Sequence, residues 1–169
     1  MMADLASHFM YCGERYEVEW FDLDEKYQLE NIAWQQVYAI GDVNGNVPIV
    51  QYENPKFEPD NLPGGKTEPN ETAEQTLVRE MEEELNMRVL AWQPLGYQKV
   101  SAPNGETANQ LRVYAKLTPI GPFVSDPGGN IIGHRLVAPQ NVNEIIQYGE
   151  IGERMMRRAG KYFEDERSK

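Results

Sequence analysis

Residues 62 to 87 read LPGGKTEPNETAEQTLVREMEEELNM. Glu80, Glu82, Glu83 and Glu84 crowd the end of a segment with helical periodicity. Like charges three and four apart on a helix repel. Negative charge in a last turn also opposes the helix dipole. The ordinary reading of such a run is a solvated acidic face. The spacing supports a sharper one. At about 100° per residue, Glu80, Glu83 and Glu84 share one arc of roughly 100°, and Glu82 points well away from it. Leu77, Met81 and Leu85 border that arc, so it meets the core. Three carboxylates converging there make an oxygen-rich nest for a hard cation, Mg2+ or Mn2+. Mg2+ keeps waters and takes phosphate oxygens as further ligands. Two adjacent ions can clamp the attacking and leaving oxygens of a displacement at phosphorus. Upstream, Gly64 and Gly65 free the backbone to approach a ligand. Arg79 and Glu71 fit a bidentate ion pair that holds the loop onto the helix.

The elements around this segment follow from periodicity and turn chemistry. Thr72 and Gln75 have capping-box spacing, with Asn70 as a competing N-cap. The helix is expected from about residue 71 or 72 to Leu85, with Leu77, Val78, Met81 and Leu85 as its core stripe. Asn86 stands where a left-handed C-terminal residue is wanted. Before it, residues 15 to 21 alternate as a strand. Residues 33–41 and 47–53 predict a hairpin about Asn44-Gly45. After it, 89–100, 110–117 and 131–139 predict strands, and residues 141–149 and about 150–166 predict helices. The last of these should bury Met155, Ala159, Tyr162 and Phe163. Strands with helices before and after them predict an α/β fold, a mixed sheet covered on both faces.

Bulk properties narrow the function. The chain has 169 residues, which suits one domain spanning 1–169, with an N-terminal extension over about 1–30. Its formal net charge of -11 argues against nucleic acid or an anionic membrane as partner. A small phosphorylated ligand remains compatible if a divalent cation lies between the charges. A single cysteine, Cys12, excludes an intrachain disulfide and a Cys-rich metal site, and fits a reducing, cytoplasmic compartment. No apolar run reaches transmembrane length, and the first twenty residues lack a signal-peptide pattern.

The acidic segment resembles the Nudix box, G-x5-E-x7-R-E-U-x-E-E-x-G-U with U a bulky aliphatic residue. Gly65, Glu71, Arg79, Glu80, Met81, Glu83, Glu84 and Met87 match it, and Asn86 replaces the last glycine. Asn tolerates the same left-handed backbone. The resemblance implies a Nudix-type α/β/α sandwich. It implies metal-dependent hydrolysis of a nucleoside diphosphate linked to another moiety. Glu83 and Glu84, joined by Glu80, would hold Mg2+ or Mn2+, with the Gly65 carbonyl beside them. Glu71 and Arg79 would be the structural pair, with Gly64 and Asn86 serving the backbone.

Substrate choice lies outside the box. Pro103 stands 16 residues after Met87. That distance resembles the mark of the ADP-ribose and ADP-sugar pyrophosphatase subgroup, although Pro and Gly mark any turn. The family often supplies a water-activating base from a later loop. Glu106 is the first candidate, followed by Asp126 and Glu144, and Glu80 itself is another. A nucleobase needs an aromatic face or an apolar slot. Tyr52, Phe57, Trp34 and Trp92 are candidates, most aromatics near strands being core. Arg112 is a candidate phosphate contact, and His134 a site residue or a structural one. Arg154, Arg157, Arg158 and Lys161 suggest a solvated helix face, or else a phosphate or partner contact. The strand before the main hairpin could pair across a homodimer. Other readings are a nucleoside triphosphate or dinucleoside polyphosphate pyrophosphohydrolase and a non-catalytic nucleotide-binding module. Isomerase chemistry on isoprenoids is disfavoured, because Cys12 lies far from the box.

Overall fold

The computed structural model describes residues 1–125 and 129–167, with side chains up to Phe163. Eight strands and three helices are assigned among these residues. The strands are β1 (Leu5–Tyr11), β2 (Glu14–Asp22), β3 (Gln36–Asp42), β4 (Val47–Tyr52), β5 (Gly64–Lys66), β6 (Met87–Ser101), β7 (Thr107–Pro119) and β8 (Ile131–Val137). The helices are α1 (Ala73–Leu85), the short α2 (Val142–Ile146) and α3 (Gly149–Arg167). Six strands form a mixed sheet in the order β1-β2-β6-β7-β3-β5, with β3 and β7 parallel. β4 and β8 form a second, antiparallel pair. This is the mixed sheet and helix-covered α/β arrangement expected from the sequence.

Alternation along β7 sets the two layers. Leu111, Val113, Ala115 and Leu117 face one side and join Leu77, Met81 and Leu85 of α1 in one core. Tyr114 faces the other, where Trp20, Ile40, Met155, Ala159 and Phe163 form a second core under α3. Every second residue of a strand points the same way, so one strand serves both cores.

The acidic helix forms as its sequence dictates. Thr72 caps it and Gln75 reaches back, completing the capping box. Asn86 ends it in the left-handed conformation, φ 53°. Asn70 is not the cap; it sits at φ 65° in the preceding loop. Val78 departs from the expected core stripe and is 36% exposed, whereas Thr76 is fully buried. The Thr76 hydroxyl is satisfied by Glu71 and by the Thr72 carbonyl, so its burial leaves no orphan.

Two expected arrangements change. Asn44-Gly45 does make a tight turn, closed by bonds between Val43 and Asn46. The flanking strands do not continue as a hairpin. Both edges of β3 are taken, by β7 and β5, so β4 leaves to pair with β8. Pro48 also removes one donor from β4. The N-terminal extension holds a strand that the periodicity missed. β1 pairs with β2 along its length through a turn at Cys12 and Gly13, and all of its residues after Leu5 are exposed. β2, the strand expected to pair across a dimer, has both edges filled within the chain. β1 is the edge.

The basic residues of α3 are partly neither a solvated face nor a ligand site. Arg154 donates to both Asp22 oxygens at 2.9 and 2.5 Å. Arg158 donates to the carbonyls of Leu95 and Leu23 and to Asp24. They clamp α3 across the end of β2 and the middle of β6. Burial alone would raise the Asp22 carboxyl, but hydrogen bonds from Arg154 and Trp20 and the charges of both arginines hold it below its ordinary value.

Candidate active site

β5 is only three residues long and pairs with β3 through Gly64 and Gly65, beside which α1 lays its acidic face. Glu80 and Glu84 are buried, at 7% and 8% exposure, while Glu82 is exposed and Glu83 intermediate. The helical arc expected from spacing is therefore the one turned inward. Glu84 accepts the Gly64 backbone N–H at 2.9 Å. A Cβ on Gly65 would lie 2.5 Å from Glu80 Oε1, so only glycine lets the backbone sit this close to that carboxylate.

Arg79 organises the face. It holds Glu71 with two bonds, Nε to Oε1 at 2.8 Å and Nη2 to Oε2 at 3.0 Å. It also donates to the Lys66 carbonyl, and its Nη1 reaches Glu80 at 2.9 Å and Glu83 at 3.3 Å. Arg79 thus bonds three carboxylates, a link the sequence reading assigned to Glu71 alone. Glu80 and Glu83 lean on Arg79 and Glu84 on Gly64. Among the described residues no trio of His, Cys, Asp or Glu closes into a metal cage. The expected nest is an acidic face with Arg79 along one flank. The Glu71 carboxyl is pushed down to about 2, chiefly by the Arg79 hydrogen bond against the opposing effect of burial. Its folded value lies below its ordinary one of 4.5, so its contribution to stability is complete above about pH 4.5. That contribution is lost as pH falls toward 2. Thermal unfolding between pH 5 and pH 2 should show a decline that Glu71→Gln flattens.

Two strands in from β5, on the α3 side of the sheet, lies a cavity of about 420 Å3. Its walls are Val18, Val100, Ile146, Ile151, Tyr148 and Phe9 of the N-terminal hairpin, and Gln98, Gln110 and Arg112 also line it. Gly64, Tyr38 and Arg112 stand in one row across β5, β3 and β7. Two strand spacings of about 4.8 Å therefore separate the box from Arg112. Arg112 is 2% exposed, with its guanidinium 4.6 Å from the Tyr38 ring and 5.7 Å from that of Tyr148. Burial raises the Tyr38 phenol; Arg112 opposes this, and Tyr148, Glu84 and Glu80 add to it. Burial raises the Tyr52 phenol too, and Glu84, Tyr38 and Tyr148 add to that rise. Both phenols thus sense the acidic face, and Tyr38 also contacts the Arg112 guanidinium.

The other candidates separate. Tyr52, half-buried at the end of β4, lies within this group, as does Arg112. Phe57 does not, being 81% exposed in a loop. Pro103 and Glu106 occupy the exposed tip of the β6–β7 hairpin. From Gly65 to Glu106 the path is two strand spacings across and five residues along, on the order of 20 Å. Glu106 is therefore not brought to the box, because β7 carries it away. Glu144 is exposed on α2, and Asp126 lies outside the described residues. Trp92 is core, its Nε1 bonded to Glu74 at 3.1 Å, and Trp34 packs edge-on against Tyr97. His134 sits on β8 with Nδ1 buried and unpartnered, its imidazole pushed down by burial. Tyr38, Gln98, Gln110 and Tyr148 went unread. Gln98 faces Gln110 across the β6–β7 ladder, and Gln110, Arg112 and Tyr114 alternate with an apolar set. That polar side of an inner strand was the available signal.

The model of the NUDIX domain matches residues 36–158, which take in the acidic helix, β5 and the cavity floor. The chain belongs to the Nudix family. Among solved structures, a pyrophosphohydrolase of Bacillus subtilis, BsRppH in its E68A mutant form, has the same fold at 20% identity. The match covers 92% of this chain and 97% of that one, with a TM-score of 0.71. A MutT Nudix hydrolase from Burkholderia pseudomallei is 20% identical, over 75% of this chain and 98% of that one, with a TM-score of 0.58. An ADP compounds hydrolase is 14% identical, over 98% and 95%, with a TM-score of 0.57. No curated protein matches. This Nudix chain is a pyrophosphohydrolase with every box carboxylate in place. Family members use divalent ions such as Mg2+ or Mn2+. The donor set here is all oxygen, as such ions require, and Gly65 leaves the room at Glu80 that a Cβ would fill. The residues fit the group. No helix among the described residues is long and apolar enough to cross a membrane.

Proposed function

We propose that this Nudix hydrolase cleaves the pyrophosphate of a nucleoside diphosphate linked to another moiety, in a cytoplasmic setting. The pyrophosphate lies on the acidic face of α1 and the nucleoside in the Arg112 cavity. The observation that carries this is adjacency. An all-oxygen acidic face and a cavity with a buried guanidinium are joined by one row of residues, Gly64, Tyr38 and Arg112. In an acidic chain a phosphorylated ligand needs cations on one side and fixed donors on the other.

Glu83 and Glu84, with Glu80 and the Gly65 backbone, would hold Mg2+ or Mn2+. The ions, when bound, supply the positive charge that polarises the pyrophosphate and the attacking water. Arg79 fixes the rotamers of Glu80 and Glu83 through its hydrogen bonds. Of the base candidates among the described residues, Glu80 lies on the acidic face and Glu106 and Glu144 lie away from it, which supports Glu80 as the group that takes the proton from water. Tyr38 stands between face and cavity in that row, its ring 4.6 Å from the Arg112 guanidinium. The ADP-ribose or ADP-sugar preference rested on Pro103, which stands at the far hairpin tip and supports no choice of base. The exposed edge of β1 leaves a homodimer as a further proposal.

A turnover screen tests this. ADP-ribose, ADP-glucose, a GDP-sugar, dinucleoside polyphosphates and nucleoside triphosphates are offered with Mg2+ and with Mn2+. Release of a nucleoside monophosphate from at least one diphosphate-linked substrate is expected. Release only from triphosphates, or silence across the panel, would overturn the proposal.

A further inference from the structure

The cavity floor has a one-sided hydrogen-bonding character. Arg112 Nη2 donates to Gln98 Oε1 at 2.9 Å and to Gln110 Oε1 at 3.1 Å. Both amides are thereby oriented: their oxygens face the guanidinium and their NH2 groups remain as donors. Among the described residues Arg112 Nε is buried with no hydrogen-bond partner, and Nη1 has a long bond of 3.4 Å to the Leu111 carbonyl. Among the described residues no Asp or Glu lines the cavity, in a chain of net charge -11. The floor thus presents a buried cation and two oriented amides as donors, while Ser7, His8 and Gln147, which can also accept, line the rest of the cavity. An unpaired buried donor is costly, which favours a ligand that supplies the acceptor.

The walls say what carries that acceptor. A bare anion does not call for Val18, Val100, Ile146, Ile151, Phe9 and Tyr148 around it. A flat heterocycle does, and a cavity of about 420 Å3 is large enough for one with its sugar. Among purines, guanine shows two adjacent acceptors, O6 and N7, on one edge, whereas adenine shows one acceptor and one amino donor there. An adenine amino group would meet the Gln98 and Gln110 NH2 groups donor to donor.

Building on the nucleoside placement above, we propose that the Arg112 cavity is a base-specificity site that takes guanine by its O6 and N7 edge in preference to adenine. Gln98 and Gln110 set the choice, and Arg112 orients them and supplies the charge. The class of substrate is then a guanosine diphosphate derivative.

The test is calorimetric titration of the whole protein in Mg2+ with GMP, AMP and inorganic phosphate. None of these contains a pyrophosphate bond, so the readout is independent of hydrolysis. GMP is expected to bind at least about tenfold tighter than AMP, the discrimination of one good bidentate contact. Gln110→Leu and Gln98→Met keep the charge and should shrink the ratio severalfold. Arg112→Ala should abolish it, with Gln110→Leu as the informative variant if Arg112→Ala does not fold. Equal binding of GMP and AMP, or phosphate binding as tightly as GMP, would overturn the proposal. Glu83→Gln separates the two claims, since it should end hydrolysis and keep the GMP preference. A GMP preference without any turnover would sink the proposed reaction alone, and turnover without the preference would sink this inference alone.

Discussion

Glu83→Gln is expected to lower turnover by at least about a hundredfold, and Glu82→Gln to leave it within about twofold. The two residues are neighbours in sequence, so the pair isolates direction. Glu83 lies on the Arg79 face, hydrogen-bonded at 3.3 Å, with Glu80 and Glu84 on the same side. Glu82 is exposed on the other side. Gln keeps the size and removes the charge that a divalent ion requires. Removing one acidic neighbour also relieves repulsion along the helix. The Glu83→Gln chain should therefore be at least as thermostable as the parent without metal. Steady-state kinetics and thermal unfolding on both variants check this. Equal loss of activity in both would mean that total charge matters and position does not.

Gly65→Ala is expected to cost nearly as much activity while the chain still folds. Gly65 has ordinary backbone angles, so alanine is not strained there. Its Cβ, however, would stand 2.5 Å from Glu80 Oε1 and 2.8 Å from Cδ. Those atoms end a flexible side chain, so the carboxylate swings away. A displacement of about 1 Å at a reacting group costs on the order of a hundredfold. Gly64→Ala should behave oppositely. Gly64 sits at φ 146°, and its Cβ would lie 2.2 Å from the Val37 carbonyl oxygen, which is backbone and cannot move aside. It should unfold or lose several kcal/mol, of the order seen for core strain. Melting temperature and turnover together distinguish the cases. Parent-like activity in Gly65→Ala would remove Glu80 from the site.

The box was legible because its signals are local. Caps, the helical arc and the Glu71–Arg79 pair all lie within 23 residues, and side-chain chemistry over that range follows from 3.6-residue geometry. The pairing of β4 was not legible. A tight Asn44-Gly45 turn predicts a hairpin, but β3 had both edges claimed by strands distant in sequence. β1 was missed because an exposed strand shows no apolar alternation. The cavity shows the same limit. Gln98, Gln110, Arg112 and Tyr38 come from three strands and meet only through register. Conversely, Pro103 was chosen by distance along the chain and Glu106 as a carboxylate of a later loop, and a long hairpin carries both away in space.

The central claim is that the inward arc of α1 is a divalent-cation face. Mn2+ titration followed by electron paramagnetic resonance tests it most directly, on the parent, Glu83→Gln, Glu84→Gln and Glu82→Gln. The account predicts binding by the parent and Glu82→Gln with similar affinity, and at least about tenfold weaker binding by the other two. Equal Mn2+ affinity in all four proteins would contradict it.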